Sequence, residues 1–327
     1  MTTAAIVPSS PAPLTASDTD ALAAFGAFIG LHVADGDASP ATLDTYRAGV
    51  GAFYAWCQSH GIAPALATAE DLVDYRRAMV ADGLARDTIA ARLASVKRFF
   101  EAAVWRGLRA DNPAAGLKAP RNRTDRAERV KFLPPDGLPR LLSACPAGLI
   151  GTRDRALLAL FGLQGVRVAE LAGLDVAAVD LAETPARVRI TGKGDKARTL
   201  YLVGADRAAL AIWLELRPTV AAPDEAAVFV TTHPNQGDAG RRMTARSIRR
   251  RVDHYLTVTG LKREGVSCHS LRHSFGTWSA AAGVKVEAIG ATLGHASITT
   301  TGVYVKVADR IKSNPAAALE KFYGLAS

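Results

Sequence analysis

Between His269 and Tyr304 the chain carries residue types suited to phosphate chemistry. The order is His269-Ser-Leu-Arg272-His273, then Leu293-Gly294-His295, then Tyr304. Imidazole and guanidinium groups bind phosphate oxygens and move protons, and a phenol can attack phosphorus. Acidic pairs that would hold a metal are missing from the stretch. If these groups converge, they would open a phosphodiester without a metal ion, using Tyr304 as nucleophile. An unperturbed tyrosine ionises near pH 10 (about 10 in model peptides), so it needs a base or a strongly cationic pocket. His269 and His273 also have the i, i+4 spacing of a metal-binding pair. No Glu follows His269, and a zinc-protease reading fits poorly.

Two upstream segments add the groups such a site would lack. Gly165-Val-Arg167-Val-Ala-Glu170-Leu begins a helix, and Gly192-Lys193-Gly194 tips a hairpin. Guanidinium forks at Arg167 and Arg272 can hold non-bridging oxygens bidentately and stay protonated at any working pH. Each residue alone has an ordinary reading: Arg167 at the surface, Lys193 on a solvated turn, His295 as a helix cap, Tyr304 as core between Val303 and Val305. Arg, Lys, His-x-x-Arg, Leu-Gly-His and Tyr in this order and spacing together resemble the tyrosine recombinases, the phage-integrase and Xer-like enzymes.

The resemblance covers nearly the whole chain. Ala21 to about Leu117 is similar to the family's helical core-binding (SAM-like) domain, and 133–327 to its catalytic domain. It implies a site-specific recombinase that cuts and rejoins DNA through a 3′-phosphotyrosyl link. It also implies roles: His269 as base or proton relay, His295 as hydrogen-bond donor to the phosphate, Lys193 as acid for the 5′-oxygen. Glu170 would support the active-site hydrogen bonds, and His273 reads as a structural or supporting residue. The covalent link preserves the phosphodiester energy, so no cofactor, metal or ATP is expected. The sequence accordingly has no GxxxxGK[ST] and no HExxH. Cys268 stands where many relatives carry Pro. Two other readings share the scaffold, a catalytically silent DNA-binding protein and a type IB topoisomerase-like relaxer. A metal-dependent nuclease is a further enzyme class, separable by its sensitivity to EDTA.

The elements that must position these groups are mostly helical. Ser39-Pro40 starts a helix, and Leu43, Tyr46, Val50, Phe53, Tyr54 and Cys57 give it one apolar face. Asp71–Ala81 and Asp87–Trp105 follow, the latter buried through Ile89, Leu93, Val96 and Phe100, with another helix near Ala21–His32. The second domain opens near Leu133 and carries helices at Thr152–Leu163, Val166–Ala172, Ala205–Leu216, Thr244–Thr259, Leu271–Ala282, Val286–Leu293 and about Pro315–Tyr323. Ala186–Thr191 and Arg198–Leu202 read as a hairpin joined by a Gly-rich turn, with Val228–Thr231 a third short strand. The expected fold is therefore mainly α: an all-helical first domain (19–118), then a mostly helical catalytic domain (133–327) with a small antiparallel sheet. Residues 1–18 read as a disordered tail rather than a signal peptide, 119–132 as a basic linker, and 314–324 as a C-terminal helix.

Charge points to a polyanionic partner. The net charge is +9, and its distribution is uneven: residues 1–120 hold 10 Lys and Arg against 12 Asp and Glu, and residues 121–327 hold 30 against 19. Candidate DNA contacts are Arg241, Arg242, Arg246, Arg249 and Arg250 around one helix start, and Thr88, Arg92, Lys97 and Arg98 in the first domain. The two domains would clamp one half-site of double-stranded DNA. Through the resemblance, the C-terminal helix would dock on a neighbouring protomer in a tetramer, or on a partner recombinase. Three scattered cysteines and no CxxC fit a reduced, cytoplasmic compartment, where a DNA partner would make the protein nucleoid-associated, and no apolar run is long enough to span a membrane.

Overall fold

The computed structural model describes residues 16–36, 38–121, 125–192, 197–232, 239–313, 319 and 322–323. Most of the expected tail, Lys193 with Gly194 and Asp195 of its hairpin tip, and most of 314–324 lie outside the described residues. The chain divides into two compact units, Met1–Arg123 and Thr124–Ser327.

The first unit contains α1 (Ala16–His32), α2 (Pro40–Ser59), α3 (Ala69–Ala81) and α4 (Arg86–Trp105). Local signals set the helix starts. Ser39 Oγ accepts the Thr42 N–H at 3.3 Å with Pro40 in the first turn, and Thr68 and Asp71 form a reciprocal capping box. Removing such a cap costs about 1 kcal/mol. The buried faces meet in an aromatic core of Phe53, Phe99, Phe100 and Tyr75. Their rings lie 5.0–6.3 Å apart in tilted or edge-on arrangements, and each ring buried adds about 1.5–3 kcal/mol.

The second unit is built on α5 (Arg126–Arg129), α6 (Gly137–Ser143), α7 (Leu149–Gln164) and α8 (Val168–Ala172), then β1 (Val179–Asp180), β2 (Ala186–Thr191) and β3 (Ala197–Leu202). It continues with α9 (Ala205–Leu216), α10 (Ala245–Val258), α11 (Cys268–Ala281), α12 (Val286–Leu293) and α13 (Ile298–Lys312). The sheet is antiparallel in the order β1-β2-β3. Its register pairs Val188 with Leu200 and Ile190 with Arg198, so Arg198 stands on the core-facing side.

Three expectations need correction. The third strand is the two-residue β1, not Val228–Thr231. That segment is buried and bends at Val228 and Phe229; it is bonded to Leu174 and Arg241 and joined to Arg242 by a single bridge. Residues 298–312, to which the sequence pattern assigns no helix, form α13, which packs on α11 and α12. Part of the stretch read as a basic linker also packs: Ala127 of α5 is buried against Val303 and Val307, with Val130 and Phe132 beside it. Arg310 pairs with Asp125 at 2.7 Å over the same helix.

Candidate active site

Tight turns bring the polar groups together. At the end of α7, Gly165 adopts φ +60°, and a side chain there would collide with Leu293 and Phe275 at 2.6–2.7 Å. The Gly165 carbonyl accepts Arg272 Nη1 at 2.6 Å, and the Leu293 carbonyl accepts Arg272 Nη2 at 2.7 Å. Arg272 is thereby buried on α11 and ties the ends of α7 and α12 together. Burial, then the nearby Arg167 charge, pull its pKa down to about 10, which leaves it protonated at neutral pH. Gly294, at φ +65°, ends α12 in the same left-handed way and turns the chain into His295.

Glu170 organises the upstream half. Its Oε2 accepts the Arg167 backbone N–H at 2.7 Å and its Oε1 accepts Arg167 Nη1 at 2.9 Å. Arg198 donates through both terminal nitrogens, each at 2.8 Å, and its Nε donates to the Thr292 carbonyl at 2.8 Å. Burial pushes the Glu170 carboxyl up, but the Arg198 fork and the Arg167 N–H outweigh it, and the net shift is downward. Side-chain exposure separates the two cations: Arg167 is 38% exposed and Arg198 12%. Arg167 is therefore open to a ligand, and Arg198 is a structural counter-charge.

Tyr304 lies on α13 and is 3% exposed. Its hydroxyl is 3.0 Å from His273 Nδ1. The ring rests on the α11 backbone at Gly276, where a Cβ would come within 2.5–2.7 Å of three ring carbons. The His269 and His273 rings are 4.4 Å apart, edge to face. His269 opens to solvent on one side and is crowded by protein on the other. That desolvation, then the Arg272 and Arg167 charges, lower its pKa, so it is neutral and able to accept a proton at neutral pH. The His295 ring stacks 6.2 Å from Tyr304, and His295 Nδ1 is 2.8 Å from Thr301 Oγ1. A cavity of about 750 Å³ adjoins this cluster, lined by Arg167, Arg198, Gly294, His295 and Gly192, the residue before Lys193. Among the described residues no group of three or more His, Cys, Asp or Glu could hold a metal ion.

Comparisons with known proteins place the chain in a family. Residues 131–310 match the phage integrase family and residues 32–107 match its N-terminal SAM-like domain. The chain belongs to the phage integrase family, the tyrosine recombinases. Tyrosine recombinase XerC of Chromohalobacter salexigens is 35% identical over 288 residues, covering 85% of this chain and 89% of the relative. XerC of Shewanella amazonensis is 34% identical over 73% of this chain and 76% of the relative. In fold, the chain is similar to XerH site-specific recombinase bound to a palindromic difH substrate, with a TM-score of 0.71 and 21% identity over 85% of this chain and 80% of that one. A lambda integrase tetramer bound to a Holliday junction is similar at a TM-score of 0.67 and 14% identity, covering 89% and 78%.

In this recombinase Arg167, Glu170, His269, Arg272, His273, His295 and Tyr304 fall into one cluster, and Lys193 lies outside the described residues. His273, expected only to support, is the imidazole in contact with the Tyr304 hydroxyl. The candidate DNA contacts divide. Arg246, Arg249 and Arg250 are exposed on one face of α10, opposite the buried Ile248, Val252 and Tyr255. Arg241 is paired with Asp224, and Arg242 with Asp175 and the Ala172 carbonyl. Thr88 and Lys97 are exposed, Arg92 is half-buried, and Arg98 pairs with Glu101 at 2.6 Å. Arg198 was missed by sequence reasoning. Its signal is an arginine at the core-facing register of β3, which demands a buried carboxylate.

Proposed function

We propose that this recombinase exchanges DNA strands between paired half-sites by a transesterification centred on Tyr304. The observation that carries this reading is the Tyr304 hydroxyl held against His273 in the cluster that contains Arg272. The Tyr304 oxygen attacks phosphorus, the bond from phosphorus to the 5′-oxygen breaks, and a 3′-phosphotyrosyl link forms. The phenolic proton leaves toward the His273–His269 pair, and the departing 5′-oxygen takes a proton from Lys193. Arg167, Arg272 and His295 neutralise the charge that builds on the non-bridging oxygens. A 5′-hydroxyl from the partner duplex then reverses the step. Trapping a covalent protein–DNA complex on a nicked suicide substrate tests the reading. EDTA-sensitive cleavage with no adduct would replace it with a nuclease.

The likeness to XerC over most of both chains favours resolution of chromosome dimers over mobile-element integration, and action on the nucleoid in the cytoplasm. Selection of bound fragments from genomic DNA distinguishes the two. We place α10 against the duplex. Arg249→Ala with Arg250→Ala is expected to weaken DNA binding and to lower the slope of log affinity against log salt by about 2, since each phosphate no longer neutralised removes about 0.9. An unchanged slope would move the DNA-binding face elsewhere.

Assembly of a tetramer on two sites is proposed to use the C-terminal segment. Leu319, Phe322 and Tyr323 are 50–80% exposed, an apolar face suited to a neighbouring protomer. Deleting residues 314–324 is expected to impair synapsis while single-site binding persists. Full strand exchange by the truncated protein would count against docking in trans.

A further inference from the structure

Thr301 sits one turn before Tyr304 on α13 and is fully buried. Its hydroxyl lies 2.8 Å from His295 Nδ1, and this is its one hydrogen bond to the described residues. A hydroxyl has one proton to give, and burial removes water as an alternative acceptor. If Nδ1 carried a proton and donated it to Thr301, the hydroxyl proton would be left buried without an acceptor. The favourable arrangement is the opposite one: Thr301 donates, Nδ1 accepts, and the imidazole proton resides on Nε2. The second ring nitrogen of a histidine is set in this way by the bond the first one makes.

We infer that Thr301 is a positioning residue that fixes His295 as the neutral, Nε2-protonated tautomer, so that its Nε2 edge presents a hydrogen-bond donor to the scissile phosphate. The inference rests on the proposed role of His295 at the phosphate and adds what makes that ring a donor rather than a base. The same bond couples the two halves of the site. Thr301 shares α13 with the nucleophile, and His295 follows the Gly294 turn whose carbonyl is 3.4 Å from Arg167 Nη2. The donor and Tyr304 therefore hold their spacing through a single turn of helix.

Two measurements on the full chain separate this from a packing role. Histidine labelled with ¹⁵N, assigned with His295→Gln, reports the tautomer of His295 in the DNA-free protein without any reaction. The expected signature is Nε2–H with Nδ1 unprotonated in the native chain and in Thr301→Ser, and a mixture of tautomers in Thr301→Val. On the suicide substrate, Thr301→Val should form adduct about 10–100-fold more slowly at saturating DNA, the order of loss seen when a metal-bound histidine loses the partner that orients it. Thr301→Ser should restore the rate, and DNA affinity should be the same in all three. An Nδ1–H tautomer in the native protein overturns the inference, as does a Thr301→Val protein that cleaves at the native rate. Absence of adduct from the native chain instead overturns the proposed function, and the tautomer measurement still decides the role of Thr301.

Discussion

Tyr304→Phe is expected to abolish the covalent adduct on a nicked suicide substrate and to leave DNA affinity and folding intact. The substitution removes one oxygen. The phenyl ring keeps its seat on Gly276 and its place in the buried cluster with Ile289, Leu293, Val303 and Val307. The loss includes the bond from the hydroxyl to His273, worth about 1 kcal/mol, against about 5–15 kcal/mol for a folded domain. Tyr304→Ala is the poorer test, since it empties a buried site at a cost of about 3–5 kcal/mol and confuses folding with chemistry. Adduct formation by the Phe protein would mean that another residue is the nucleophile. Loss of DNA binding would mean that Tyr304 anchors the fold rather than reacts.

The two readings of Tyr304 that the sequence offers, core residue or nucleophile, prove compatible. The residue is buried, and its hydroxyl still reaches a histidine. α13 was illegible because Ile298, three threonines and Val303, Val305 and Val307 are poor helix formers. Packing on α11 and α12 overrides that preference, and no local signal carries long-range packing. The start of α2 was readable because Ser39-Pro40 is a local device. The hairpin was readable from alternation, whereas β1, two residues long, is shorter than any period. Of the site, the residue types were legible and their coupling was not. Nothing in the spacing shows that Glu170 binds Arg167 and Arg198 together, or that His273 rather than His269 meets the phenol.

That coupling gives the second large effect. Glu170→Gln is expected to destabilise the chain by about 3 kcal/mol, because Arg198 would stay largely buried without a counter-charge. In a unit of this size the shift in Tm is roughly 6–12 °C. Arg167, more exposed and better screened, contributes little to that loss, but it would lose the carboxylate that aims it. Cleavage by the folded protein is then expected to slow by about 10–100-fold, the order of effect of a misplacement near 1 Å. Acidity provides an internal control. The Glu170 pKa is lowered by folding, so its stabilisation is complete above the unfolded value of about 4.3 and is lost as pH falls through the folded one. Native and Gln proteins should therefore differ most in denaturant midpoint near neutrality and converge in acid, where a protonated Glu170 resembles Gln. A gap that stays constant as pH falls would assign the loss to shape rather than to charge, and Glu170 would then be a packing residue that the two arginines happen to touch.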